Sequence, residues 1–249
     1  MGVSSLIMAD RKPRSMRHVD PKVSLHLQKR FQKKFMVEQC SQMIEHLDEA
    51  IHATFRAAPP ARQRYLLAHA AATQTPAHQE AQLERALHRQ WSTPGCGPAG
   101  EFWARIVAFQ VNLPASRGDK GWGEIDLLGI ADDGLPVIIE LKKGSSQEPP
   151  ANLLVQAAAY GIALQKAWPT FRREWMHETF PQEPLPTALL PCHLACVAPD
   201  DYWGRWADAP TRDAVSSLRS AFAARGLEAS MVSLVKSGDS YHAPTAEGF

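Results

Sequence analysis

Apolar residues fall into two kinds of run along the chain, and their spacing changes near residues 76 and 104. From about Leu25 to Phe55 they recur at helical intervals. Leu27, Phe31, Phe35 and Met36 are followed by Met43, Ile44, Leu47 and Ile51 on a recurring face. Ala57 to Pro60 interrupts the pattern, and a second short helix is expected near Ala61 to Ala72. Residues 1–24 carry Pro13, Pro21 and many charges with little periodicity, and read as a disordered arm. Residues 76–91 are again helical, with Leu83 and Leu87 inward and Trp91 at the end.

From there the period shortens towards two. Strands are expected at 104–113, 124–130 and 135–143, with Asp132-Asp133-Gly134 as the hairpin turn between the last two. A helix over roughly 151–166 follows, then a Pro-rich connection and a short buried strand at 192–198. Trp203 and Trp206 fall in a loop after that strand; Thr211 is expected to cap a helix ending at Gly226, before a last strand at 228–235. The order from residue 76 is α-β-β-β-α-β-α-β, an α/β arrangement with a mixed central sheet flanked by helices. The chain thus divides into an arm (1–24), a helical segment (25–75) and an α/β domain (76–249).

Composition agrees with this division. With 249 residues, 45% apolar and 21% charged, the chain suits a globular core plus a smaller appendage. No apolar run reaches the roughly 18 residues of a membrane span. The N-terminus lacks the apolar core of a secretory signal, and Leu6 breaks the myristoylation pattern. A cytoplasmic protein without a membrane partner is expected. Of Cys40, Cys96, Cys192 and Cys196, only the last two are close, as Cys-His-Leu-Ala-Cys; they read as reduced structural thiols or a zinc pair.

Charge is uneven. The net of +1 hides nine Lys or Arg against Asp10 and Asp20 within residues 1–35, which leaves an acidic body. Arg11, Lys12, Arg14, Arg17, Lys29, Arg30, Lys33 and Lys34, together with Lys143, are candidate contacts to nucleic-acid phosphates; a solvated tail is the other reading.

Strand alternation brings chemistry together. Residues two apart share a face, so Glu124, Asp126 and Leu128 face one way, and Ile125 and Leu127 the other. Ile138, Glu140 and Lys142 share a side, opposite Val137, Ile139 and Leu141. If the like faces meet, two carboxylates and an ammonium converge among apolar strands, which is costly without a ligand. Asp126, Glu140 and the Leu141 carbonyl offer the oxygens that Mg²⁺ or Mn²⁺ takes. Lys142 could orient water or neutralise a phosphate. A plain Glu-Lys pair on a solvent-facing hairpin is the alternative.

The run Glu124-Ile-Asp126-Leu-Leu, an Asp-Gly turn and Val-Ile-Ile-Glu140-Leu-Lys142 resembles the motif of the PD-(D/E)XK nuclease superfamily. It is especially similar to the nuclease domain of NucS-type endonucleases. Gln156-Ala-Ala-Ala-Tyr160 is similar to the Gln-x-x-x-Tyr helix after the catalytic strand of the RecB-like branch. Gln82-Leu-Glu84-Arg-Ala-Leu87 resembles the helix before the first strand, whose acid orders the metal site. Glu84 is the choice for that acid, with Glu80 one turn earlier as the alternative. The resemblance implies a restriction-endonuclease-like core and a Mg²⁺- or Mn²⁺-dependent nuclease with nucleic acid as partner, DNA ahead of RNA. Asp126, Glu140, Leu141 and Glu84 would hold the metal; Lys142, Gln156 and Tyr160 complete the site. A catalytically silent module binding nucleic acid or a protein is the alternative. The resemblance covers about residues 78 to 165, and the loop between Trp91 and Trp103 is longer than the usual connection. Residues 1–75 do not resemble the family's N-terminal binding domain, and are a candidate surface for a homodimer. Phe102, Trp103 and Trp122 either stack on bases or pack the core.

Overall fold

A computed structural model of the chain describes residues 24–27, 31–62, 65, 79–92, 103–113, 119, 122–131, 133–179, 185, 187–188, 191–238 and 240–242. Most of the helix expected near residues 61–72 lies outside these. The molecule is α/β, built on a five-stranded mixed sheet flanked by helices. The strands are β1 (Trp103–Asn112), β2 (Glu124–Ala131), β3 (Pro136–Leu141), β4 (Cys192–Ala198) and β5 (Leu227–Ser233), in the spatial order β1-β2-β3-β4-β5. The β1–β2 and β2–β3 pairings are antiparallel, and β3–β4 and β4–β5 are parallel. Every β3 residue is buried, and β4 is buried except for half-buried His193, which is why both read as near-continuous apolar runs.

The N-terminal region does not form one long helix. Short 3₁₀ turns at Leu25–Leu27 and Lys33–Phe35 precede α1 (Met36–Glu45) and α2 (Leu47–Ala57). His46, between them, leaves helical geometry at ψ 20°, and Met43 and Leu47 on either side are both buried. Helix α1 packs on α6 (Ala209–Ala223), and α2 on α4 (Pro150–Glu174). Leu25, Phe31, Met36, Met43 and Leu47 belong to the same hydrophobic cluster as α4, α6 and the adjoining sheet face. The opposite face is covered by α3 (Gln79–Trp91), whose Leu87 and Trp91 join Ile106, Leu127, Val137 and Ile139 in a smaller cluster.

Several boundaries differ from the sequence reading, each for a packing reason. Helix α4 does not stop near 166 but runs through Pro169 to Glu174. A mid-helix proline costs about 3 kcal/mol. Burying Trp168, Phe171 and Trp175, which stack in series at 5.3 and 6.4 Å, offsets that at roughly 2 kcal/mol per side chain. The cap of α6 is Asp208 rather than Thr211: its carboxylate accepts the Thr211 N–H at 3.1 Å, with Pro210 in the first turn. The chain leaves α6 through Gly226, at φ +75°.

Trp203 and Trp206 are not in a loop. They sit in, and at the end of, the short helix α5 (Asp200–Arg205), where the Trp203 indole donates to the carbonyls of Ala198 and Val232 at 2.9 and 3.0 Å. A small hairpin of β6 (Val235–Ser237) and β7 (Ser240–His242) also goes beyond the expected order. Gln90 secures it by bonding both backbone groups of Tyr241 at 2.9 Å. Among the described residues no helix is long and apolar enough to cross a membrane.

Candidate active site at the open end of the sheet

Strands β2 and β3 pair from Ile130↔Pro136 to Leu127↔Ile139, and the ladder ends there. Two residues further along β3, the Leu141 amide donates instead to Asp126 Oδ2 at 2.7 Å. The Lys142 amide turns the other way, to Val197 O on β4 at 2.9 Å. The sheet therefore forks at the carboxyl end of β3, with the Asp126 carboxylate spanning the fork. Alternation within β3 follows the sequence expectation. Val137, Ile139 and Leu141 enter the smaller cluster, while Ile138 faces the larger one, on the side from which α4 reaches Glu140.

The expected faces fail in β2. Ile125 packs with Leu128 and Ile138 in the larger cluster rather than with Leu127. Its partner Val111 makes the same change, while Phe109, two residues earlier in β1, packs on the smaller cluster with Leu127. Between these pairs stands Gln110, with φ +49°. That backbone kink moves the hairpin out of simple period-two order beside Asp126.

Glu140 is the centre of the arrangement and is wholly buried. Its Oε2 accepts a hydrogen bond from Gln156 Nε2 at 2.8 Å, and the same amide lies 3.3 Å from the Tyr160 hydroxyl. One helical turn of α4 therefore supplies both groups from one face. Glu140 Oε1 is buried with no hydrogen-bond partner. Burial pushes the Glu140 pKa well above the carboxylate range, the Asp126 and Glu84 charges add to this, and Lys142 opposes it. Burial likewise raises the Tyr160 pKa, which keeps it a neutral phenol.

Lys142 sits just past β3, with its side chain 12% exposed and its ammonium 3.4 Å from Glu148 Oε2. The intervening loop is clamped from α5. Arg205 donates to the carbonyls of Gly144 and Ser146 at 2.6 and 2.5 Å, and Tyr202 to that of Glu148 at 2.8 Å. Glu84 is buried on α3, and its Oε2 accepts from Gln110 Nε2 at 2.9 Å. The side chain of Glu80 lies outside the described residues. Lys143 is exposed and borders a groove of about 520 Å³ that Gln82, Leu83, Lys236 and Tyr241 also line.

Among the described residues, no group of three or more His, Cys, Asp or Glu side chains is placed to hold a metal ion. What the end of the sheet brings together is Asp126, Glu140, Gln156, Tyr160 and the stem of Lys142, with Glu84 near enough for its charge to act on Glu140.

The basic arm is less informative. Arg11, Lys12, Arg14, Arg17, Lys29 and Arg30 lie outside the described residues. Lys33 is engaged internally, donating to Arg205 O at 3.2 Å, 4.0 Å from Asp208 Oδ2 and over the Trp206 ring. Lys34 lies over Phe35. Trp122 is buried, stacked on His26 at 3.9 Å, and donates to Ala57 O, which makes it a packing residue. Phe102 and the Trp103 side chain lie outside the described residues. Cys40, Cys192 and Cys196 are buried free thiols.

Four contributors escape sequence reasoning: Gln110, Gly123, Glu148 and Arg205. A Cβ at Gly123 would stand 2.6 Å from the Tyr160 hydroxyl. A glycine immediately before a strand that carries a candidate acid was the one available signal. No family model, curated protein or solved structure matches the chain.

Proposed function

We propose that the chain is a divalent-metal-dependent nuclease of the PD-(D/E)XK type, hydrolysing phosphodiester bonds with DNA as the leading substrate. The observation that carries this reading is the buried Glu140 carboxylate, whose Oε1 has no partner at the fork that Asp126 spans. A buried carboxylate left half-satisfied is expensive, and a hard cation is the ligand whose charge would offset it. The mixed sheet, with an antiparallel hairpin feeding a parallel pair, is compatible with a restriction-endonuclease-like core.

In this reading Asp126, Glu140, the Leu141 carbonyl and Glu84 would hold Mg²⁺ or Mn²⁺. Such an ion supplies positive charge at the phosphate and makes an attacking water more acidic. Gln156 fixes one oxygen of Glu140, and Tyr160 packs behind that amide. Lys142 exchanges Glu148 for the substrate phosphate, where its ammonium neutralises developing charge. Hydrolysis then breaks one P–O bond as water adds to phosphorus.

The test is cleavage of single-stranded, duplex, branched and mismatched DNA, and of RNA, with Mg²⁺, Mn²⁺ or chelator. Metal-dependent cutting that Asp126→Ala and Lys142→Ala abolish, with the fold intact, is the expected result. Cleavage undiminished in both variants would sink the assignment. One observation favours a second reading, a silent module that binds nucleic acid or a protein: Asp126 Oδ2 is committed to the Leu141 amide and Lys142 faces Glu148. Calorimetry showing no uptake of Mg²⁺ or Mn²⁺ at millimolar concentration would support that reading instead.

A further inference from the structure

Gln110 is, among the described residues, the one non-glycine residue with a positive φ, +49°. That region disfavours L side chains, and Asn, Asp and Gly enter it more readily than Gln. Gln110 stands in β1 between the pairs Phe109↔Leu127 and Val111↔Ile125, hence opposite Asp126. Its amide reaches from the sheet to α3 and donates to Glu84 Oε2 at 2.9 Å. A strained backbone, a long amide where a short one would suit that backbone better, and a buried acid at its tip meet at one point.

We infer that Gln110 is a positioning residue that holds the Glu84 carboxylate at the Asp126 end of the sheet for the divalent cation. The inference rests on the nuclease reading. Glu84 is on α3 and packs from one face of the sheet, whereas Gln156 reaches Glu140 from α4 on the other. Gln110 fixes the acid supplied from the α3 side. The charge of Glu84 is felt at Glu140, in keeping with this placement.

Mn²⁺ alone is the probe, titrated calorimetrically into wild type, Gln110→Asn, Glu84→Gln and the double variant, with thermal unfolding of each. Gln110→Asn tolerates the backbone but is one methylene too short to reach Glu84. Its Mn²⁺ affinity is expected to fall roughly tenfold or more, as for other residues that orient a ligand, with an unfolding midpoint no lower than wild type. In the Glu84→Gln background the same change is expected to cost nothing further. Equal Mn²⁺ affinity in wild type and Gln110→Asn overturns the inference, as does an undiminished loss in the Glu84→Gln background. A wild type that takes up no Mn²⁺ is a different outcome: it removes the metal reading itself, and this inference with it.

Discussion

Glu140 places a carboxylate where water does not reach, and only one of its two oxygens has a partner. Its value must then lie in something other than metal-free stability. Glu140→Gln keeps the shape and removes the charge. The expected result is a metal-free protein stabilised by ~1 kcal/mol, raising Tm by about 2–4 °C at neutral pH, with divalent-metal-dependent cleavage lost. Scanning calorimetry checks the first part, and an unchanged or lower Tm counts against it. Behind the same acid, Gly123 leaves room for the Tyr160 hydroxyl. Gly123→Ala would gain about 0.4–1 kcal/mol by restricting the unfolded chain. Overpacking a buried ring at 2.6 Å outweighs that, for a net loss of roughly 1–2 kcal/mol in urea unfolding. Adding Tyr160→Phe is expected to restore most of the loss; no recovery would show that the hydroxyl is not the obstacle. The Asp126, Glu140 and Lys142 grouping was legible because strand phase is local information. Gln110 was not, since its role depends on a backbone angle and on Glu84, 26 positions away in the chain.

At the scale of elements, local spacing located the core strands well. Residues 192–198 and 124–130 coincide with β4 and most of β2. It failed where tertiary packing overrode a local signal. Pro169 looked like a stop, yet the buried aromatics beyond it keep α4 helical. Asp208 and Thr211 are both good cap residues, and the sequence does not reveal which carboxylate or hydroxyl meets an exposed N–H. The β6–β7 hairpin has too few alternating positions to show a period, and its anchor is Gln90 on α3. Elements are also joined by charge. Asp48 of α2 takes a two-pronged contact from Arg225, just beyond α6, at 2.6 and 3.0 Å. The Arg225 guanidinium holds its carboxyl below the ordinary carboxylate range. A folded pKa below the unfolded one adds stability that is present above about pH 4 and fades as pH falls through the folded value. The Tm gap between wild type and Asp48→Asn should therefore be widest near neutrality and close on acidification, and high salt should narrow it. A gap independent of pH would show that this ion pair does not tie α2 to α6.

For the molecule as a whole, the helices at residues 36–57 are an outer layer on α4 and α6, sharing their hydrophobic cluster. Cys40 lies in that layer, and Cys192 and Cys196 lie in β4, which is flanked by β3 and β5. Burial pushes the Cys40 and Cys192 thiols up to about 12, and Cys196 upward as well. Alkylating reagents attack the thiolate, so each of these sulfurs stays silent until its surroundings open. The chain thus carries its own clock for the order in which it comes apart. In a Cys96→Ser background, timed iodoacetamide labelling read by mass spectrometry should mark Cys40 ahead of the β4 pair, because the outer layer can lift while the strands remain paired. Simultaneous labelling of all three would instead mean that helices and sheet let go in a single event.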